Sequence, residues 1–413
     1  MIIRDPIHGD IELGGLERRL IDVPEMQRLR RIKQTGTADL VYPGCRHTRF
    51  EHSLGTYAVA RRILASLRQN GTTVTEDDEA VVGAAALIHD ITHLPFGHTF
   101  EDERRIFSRH DQGQRFLAFL APGTGINRVL RELGLLEPIK AIFTGQYNGP
   151  RWHKQIIASC IDADLLDYLR RDSYFAGLKQ DYDDRILSYL TLDEDDLVIN
   201  MAKHNLDRAD ARSEVLHLLR MRYFLTERVY THHAKVASGA MISKAVELAV
   251  ENGLREQHLY GAGDDELLLW LRDGSPELIG GVMERRLYKR AYVLSSANGL
   301  RDQLIKSYGQ SAAERRRLEE QIANRVGVHH TSIVVQCPPA TFFKEAGALV
   351  RTTRGVHRLN EPGHLPLEIA ALEEQYQRLW RFYVFTPAHL AAEVARTCQG
   401  IFGEPSEYLA GIL

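Results

Sequence analysis

The segment "ALIHDITHLPFGH" (residues 86–98) sets His89, Asp90, His93 and His98 at the end of an almost wholly apolar run. Burying a neutral polar group without a partner costs about 2–7 kcal/mol, and an ion costs more. Something must therefore compensate His89 and Asp90. Upstream, "RFEHSLG" carries His52, and downstream "CIDADLLDYLRRD" carries Asp164. Imidazole nitrogens and carboxylate oxygens from three helices can close around one divalent cation and leave positions open for water or substrate oxygens. Taken alone, an adjacent His and Asp read as a hydrogen-bonded helix end; with His52 and Asp164 they read as a metal site. Asp162 stands about 200° around the helix from Asp164 and reads as a capping or solvated residue. Tyr168 and Arg171 follow Asp164 at i+4 and i+7, with Asp172 beside them, so one helix face runs from a metal ligand to a ring to polar groups.

The elements that must position these groups are mostly helical. In "EHSLGTYAVARRILASLRQN", Ala60, Ile63, Leu64 and Leu67 recur with a helical period. Thr75 and Asp78 form a capping-box pattern that opens "EAVVGAAALIHD", a helix apolar nearly all round and so central in a bundle. One helix is predicted over "KQIIASCIDADLLDYLRRD" and a long one over about 212–236. Before residue 50, "RDPIHGDIEL" reads as a turn and a β-hairpin arm; 260–266 and 272–277 read as loops. "TSIVVQ" (331–336) and "WRFYVF" (380–385) read as strands. "TPAHLAAEVARTCQGIFG" reads as a helix with a Thr N-cap, Pro at the first helical position and a Gly stop.

The 413 residues exceed the roughly 250–300 that one core usually organises. The expectation is a mainly α chain: a helical bundle over 1–310, with the metal site within 45–240, and a small α+β subdomain over 311–413. A net charge of −3 gives no global pull toward nucleic acid or anionic membranes, and the basic run 314–317 reads as a solvated helix face. Cys45, Cys160, Cys337 and Cys398 form no C-x-x-C pair, which argues against a zinc ribbon or disulfide scaffold and fits a reducing cytoplasm. "MIIRDPIHGD" lacks the features of a signal peptide, and no apolar run is long enough to span a bilayer. The chain is expected to be cytoplasmic, with no membrane partner and nucleic acid disfavoured.

The order His, His-Asp, distant Asp resembles the HD superfamily of metal-dependent phosphohydrolases. With "DPIHGDIEL", "QRLRRIKQTG", "YPGCRHTRFEHSLG", "HDITHLPFGH" and "IDADLLDYLRRD" in order, the chain is similar, from about residue 4 to 290, to the deoxynucleoside triphosphate triphosphohydrolases. The resemblance implies an HD-domain bundle that cleaves a dNTP to deoxynucleoside and inorganic triphosphate. It implies His52, His89, Asp90 and Asp164 as ligands of one divalent ion, for which Mn, Fe, Zn, Co or Mg all remain open. It places a catalytic histidine at His110, with Asp111 where the family usually has glutamate, and phosphate-contacting histidines at His93 and His98. Expelling a nucleoside 5′-oxygen needs a proton, which a histidine can supply near neutral pH. Arg49 and Arg222 match phosphate-gripping arginines, whose planar fork suits phosphate oxygens. Tyr168 and Asp172 match sugar contacts, Tyr230 matches the ring that packs under the deoxyribose, and Gln34 is retained.

Three positions depart from the pattern: Leu165 replaces a phosphate-binding lysine, Thr35 a leucine at the sugar, and Thr231 a glutamine. The resemblance further implies a homo-oligomer, dimer or tetramer, activated by a guanine nucleotide or dNTP. Asp22, Gln27 and Arg30 match guanine-reading residues, and Arg285 and Lys289 match phosphate contacts, while Met1 falls where the family's arm has lysine. Two other functions remain open: an HD phosphohydrolase acting on another nucleotide, such as a monophosphate or an alarmone, and a non-catalytic nucleotide-sensing or nucleic-acid-binding module. An open metal position speaks against the second, since a pure sensor need not keep one.

Overall fold

The computed structural model describes residues 1–101, 104–111, 113–340, 343–362 and 367–408. Its innermost helices are α1 (Arg49–Gln69), α2 (Glu76–Ile88) and α3 (Ala163–Phe175), with α1 packed against both others. Helix α2 opens on the Thr75–Asp78 capping box, with four acidic residues in its first turn that suit the positive end of the helix dipole. Every residue from Val81 to Ile88 is buried, as the all-round apolar pattern requires. Helix α1 starts at Thr48, whose backbone N–H and hydroxyl both donate to Glu51.

Two expected helices are broken, and each break has a polar cause. The helix expected over "KQIIASCIDADLLDYLRRD" divides into Arg151–Ile157 and α3. Asp162 turns the chain between them, accepting from Ser159 N at 2.6 Å and, as N-cap of α3, from Leu165 N at 2.8 Å. The long helix over 212–236 becomes α4 (Ala209–Leu225), a π-turn Thr226–Tyr230, and α5 (His233–Glu251). Thr226 Oγ1 donates back to Arg222 O, and Thr231 N reaches Thr226 O at 2.9 Å, five residues back. Wide turns of this kind recur at functional sites, and this one sets Tyr230 against Asp172.

The C-terminal region mixes helix and strand. Strand β3 (Arg381–Thr386) lies between β1 (Lys289–Ser295) and β2 (Val334–Gln336), antiparallel to both. A second sheet joins Leu190–Asp193 and Asp196–Asn200 to Leu349–Thr352 and Gly355–Arg358. Strands from before and after residue 310 therefore share both sheets. The strand expected over 331–336 shortens because His330–Ser332 form a 3₁₀ turn. Thr386 caps no helix: it ends β3 and donates to Ser332 O, so the last helix starts at Ala391 and stops at Gly403, φ 74°. In the basic run on α6 (Ala312–Val326), Arg315 is buried at 1% exposure rather than solvated. No helix among the described residues is long and apolar enough to cross a membrane.

The N-terminal hairpin, Ile2–Asp5 paired with Gly9–Glu12, lays its turn against the bundle. There Asp5 accepts from Ile7 N and His8 N and receives Arg171 of α3. Gly55 makes this possible, because a Cβ at that position would run into Asp167 and Arg171. Gly55→Ala should therefore lower stability by about 1–3 kcal/mol, the usual cost of overpacking. A urea midpoint unchanged from wild type would contradict this reading of the packing.

Candidate active site

Helix α2 ends where the chemistry begins. His89 Nδ1 lies 2.8 Å from Ala86 O. A carbonyl can only accept, so Nδ1 carries the proton and Nε2 turns its lone pair inward. From α1, His52 does the same: its Nδ1 lies 2.7 Å from Asp167 Oδ2, and its Nε2 faces His89 Nε2 at 3.3 Å. Asp164 Oδ1 lies 2.9 Å from His52 Nε2 and 3.8 Å from His89 Nε2, and Asp90 Oδ1 lies 3.5 Å from His89 Nε2. Donors about 2.1 Å from one ion stand about 3–3.5 Å apart, so the set fits a divalent cation; His52, His89 and Asp90 offer donor atoms all within 4.8 Å of one another. Burial opposes a charge on His52, yet hydrogen bonds to Asp164 and Asp167 outweigh it and push the ring up to about 10. The cluster calls for positive charge.

Around the donors sits a set of groups that orient them, and Asp167, with His8 and Asp5 behind it, is absent from the sequence reading. Fully buried, it accepts from His52, from His8 Nε2 at 2.6 Å, and from Arg171 Nε at 2.8 Å. Its spacing offered a signal: i+3 from Asp164 and i−4 from Arg171. Arg49 Nη1 lies 2.6 Å from Asp90 Oδ2. Burial works against the Asp90 charge, but Arg49, with His93 and His89, holds the carboxyl well below its ordinary range. Gly97, at φ 56°, gives the Arg49 guanidinium its room.

Beyond Asp90, the rings of His93, His98 and His110 form a second cluster. His93 stacks on His110 with centroids 3.8 Å apart, and His98 meets both edge-on. Burial first, and then Arg49, keeps His93 well below the usual histidine range, so this ring is neutral. His110 Nδ1 lies 2.8 Å from Glu101 Oε2, which leaves Nε2 for a substrate. Asp111, expected in that supporting place, is exposed and paired with Arg109 at 3.1 Å. Its short side chain turns to solvent, and Glu101, nine residues before His110, takes the role.

A cavity of about 400 Å³ opens beside these rings, lined by Gln34, Thr35, Arg49, His98, Arg109, Tyr168, Asp172, Arg222, Tyr230 and Lys235. Arg222 lies over the rings of Tyr168 and Tyr230, 5.4 and 5.2 Å from their centroids, and its Nε meets Glu345 Oε1 at 3.0 Å. Asp172 is held by Tyr230 OH at 2.5 Å and His47 Nε2 at 2.7 Å. Lys235, Glu345 and His47 were not singled out from the sequence. Of the departing residues, Leu165 is buried in the core, Thr231 turns its hydroxyl to Thr226 O, and Thr35 Oγ1 is buried without a hydrogen-bond partner, as is Oε1 of the retained Gln34.

The five residues matched to an activator site fall in two places. Arg30 Nε donates to Gln27 Oε1 at 2.9 Å, and its guanidinium lies over the Phe50 ring; Asp22 is exposed nearby. Arg285 donates to Leu40 O, and Lys289 is exposed at the start of β1. Among the described residues no hydrogen bond or ion pair joins the two groups within the chain.

The Glu101–His110 pair gives a pH dependence of definite sign. Burial raises Glu101, but His110 and Arg115 hold it down to about 2, below the ~4.3 of an unfolded glutamate. Its stabilising contribution is thus complete above the unfolded value and is lost as pH falls from there toward 2. Glu101→Gln should have a lower urea midpoint than wild type at pH 6, with the gap closing toward pH 3. Equal midpoints at pH 6 would deny Glu101 this part.

Comparison with known proteins agrees with this geometry. The HD domain family matches residues 49–172, and the HD associated region matches residues 181–407. An uncharacterized protein of Methanocaldococcus jannaschii is 29% identical over 95% of this chain and 80% of its own length. The deoxynucleoside triphosphate triphosphohydrolase SAMHD1 of Bos taurus is 32% identical over 64% of this chain, a match that spans about half of that protein, 51%. In fold, a phosphohydrolase from Bacteroides thetaiotaomicron superposes with a TM-score of 0.71 at 24% identity, covering 94% of this chain and 99% of that one. A hypothetical protein from Aquifex aeolicus gives 0.72 at 23%, covering 96% and 99%. With its donor cluster on the HD domain and the associated region completing the cavity, the chain belongs to the HD-domain phosphohydrolases that carry the HD associated region.

Proposed function

We propose that this protein hydrolyses deoxynucleoside triphosphates to deoxynucleoside and inorganic triphosphate, with one divalent ion held by His52, His89, Asp90 and Asp164. The observation that carries the reading is the juxtaposition of a cation-seeking cluster, the His110–Glu101 pair and a basic, tyrosine-lined cavity. An ion bound there supplies Lewis acidity and lowers the pKa of a water. The protein's own groups do the rest. Arg49, Arg109 and Lys235 bring positive charge to the cavity for the triphosphate, with His98 beside them, and Tyr168 and Tyr230 offer ring faces to the sugar. Water attacks the α-phosphorus, the bond to the 5′-oxygen breaks, and the proton that oxygen needs comes from His110 Nε2. Triphosphate leaves with the water oxygen, and the proton that the water sheds passes to solvent, from which His110 Nε2 is protonated again. Glu101 holds the ring through Nδ1 and offsets its charge. Relatives named as deoxynucleoside triphosphate triphosphohydrolases support the same substrate class.

The test is product analysis with single and mixed dNTPs plus Mn²⁺ or Mg²⁺. Triphosphate and deoxynucleoside are expected; orthophosphate release, or no product, would overturn the reading and favour another nucleotide or a sensor. His89→Ala and Asp90→Ala should lose bound metal and activity while the fold persists. His110→Ala should keep metal and lose a factor of roughly 10²–10⁴ in kcat.

Regulation by assembly belongs to the same proposal. Asp22, Gln27 and Arg30 share no hydrogen bond or ion pair with Arg285 and Lys289 among the described residues, and we read the two groups as parts of a nucleotide site completed between two copies. A ligand that binds the assembled form better than its parts shifts the population toward it. A guanine nucleotide or second dNTP should accelerate hydrolysis and raise the particle mass, and Asp22→Ala should remove that stimulation while metal content stays unchanged. Full activity on a single dNTP at constant mass would dismiss the activator and leave the hydrolase.

A further inference from the structure

The loop that carries His98, Glu101 and His110 is fastened from outside the HD domain. Arg104, three residues after Glu101, is fully buried. Its Nε and Nη2 meet Glu247 of α5 at 3.0 and 2.5 Å, and its Nη1 meets Glu319 of α6 at 3.1 Å and Val335 O of β2 at 2.7 Å. The Arg104 carbonyl in turn accepts from Arg315 of α6. Glu319 also receives Lys244 and the backbone N–H of Val335, the latter at 2.8 Å. Side chain and backbone of one loop residue are thus both pinned, mainly by the C-terminal region.

This is a costly way to hold a loop. Buried ion networks lose in desolvation much of what attraction returns, and apolar residues of similar volume often serve stability as well. What the guanidinium adds is direction: a planar fork with four filled contacts fixes the position of its own backbone. On the opposite side Arg115 grips Glu101 and Ser108 O, and Glu256 holds Arg115 at 2.7 Å. Glu101 is thus held directly by Arg115, with Arg104 fastened three residues further on, and a misplacement of about 1 Å at a reacting group costs on the order of 10²-fold in rate.

We infer that Arg104 is a positioning residue, through which Glu319 of the C-terminal region sets the loop that holds Glu101 against His110. The inference rests on the proposed hydrolysis for its kinetic readout but not for its structural one. The experiment uses the full chain and compares Arg104→Met, Arg104→Lys and Glu319→Gln with wild type. Three quantities are measured: metal content, kcat and KM for a dNTP, and the His110 ring resonance by NMR, assigned through His110→Gln. In Arg104→Met, kcat should fall about 10–100-fold with metal content and KM within twofold, and the His110 resonance should move toward that of a solvent-exposed histidine. Arg104→Lys should recover part of both changes. Should Arg104→Met fail to fold, Glu319→Gln, which keeps its shape and an acceptor for Val335 N, must show the same split. An unchanged kcat and His110 resonance in a folded variant overturns the inference, as does a loss of kcat that merely follows loss of metal. If wild type turns over no nucleotide, the hydrolase reading fails, and the His110 resonance alone decides the positioning role.

Discussion

His52, His89 and Asp90 bring donor atoms within 4.8 Å of one another, with Asp164 2.9 Å from His52, and much of the surrounding structure balances the charge this concentrates. Asp90 sits just past the end of α2, whose residues Val81 to Ile88 are all buried, where an unpaired carboxylate could not remain ionised. Arg49 meets it from α1, and His93 lies 3.1 Å away on the other side. On α3, Asp167 answers to Arg171, and Arg171 to Asp5 in the N-terminal hairpin. The hairpin therefore serves the site: its turn supplies His8 to the Asp167 carboxylate that orients His52, and Asp5 to the Arg171 that holds that carboxylate. A chain of contacts of this length gives the donors fixed positions, which outer partners of a metal site characteristically provide.

The cavity shows why an HD domain and its associated region occur together here. The donor cluster and His110 lie within or beside the first matched region, yet Arg222, Tyr230, Lys235 and Glu345 come from the second. The π-turn after α4 is the hinge of this arrangement, since a regular helix through Thr226–Tyr230 would carry the Tyr230 hydroxyl away from Asp172. Arg222 also arrives already facing Glu345, and Arg49 already facing Asp90. Each guanidinium is thereby held by a carboxylate at the wall of the cavity, which fixes the shape of that wall.

How much of this could be read from the sequence depends on how narrowly the chemistry restricts each residue type. A donor for a borderline metal must be His, Asp, Glu or Cys, and it must sit at a helix position that aims inward. That restriction singled out His52, His89, Asp90 and Asp164 as candidates, of which the fold brings His52, His89 and Asp90 within 4.8 Å of one another and Asp164 to 2.9 Å from His52; periodicity and capping rules did the same for α1 and α2. Helix breaks were harder. Both fell inside apolar-periodic stretches without Gly or Pro, where Asp162 and Thr226 redirect the backbone by side-chain hydrogen bonds that compete with the helix ladder.

Supporting acids are the least legible of all, because any carboxylate within reach can serve. The residue next to His110 in sequence, Asp111, is next to it only along the chain; in space its charge belongs to Arg109 and the solvent. Glu101 reaches the ring because the intervening loop folds back, with Ile106 N bonded to Phe100 O, and because Arg115 and Arg104 fasten that loop on either side. Neither arginine carries a sequence signature of this task. Arg315, which holds the Arg104 carbonyl, sits within a run of like charges whose other members face solvent. Local pattern can identify a group whose chemistry is rare, whereas a group defined by where a loop returns becomes visible only once the chain is folded.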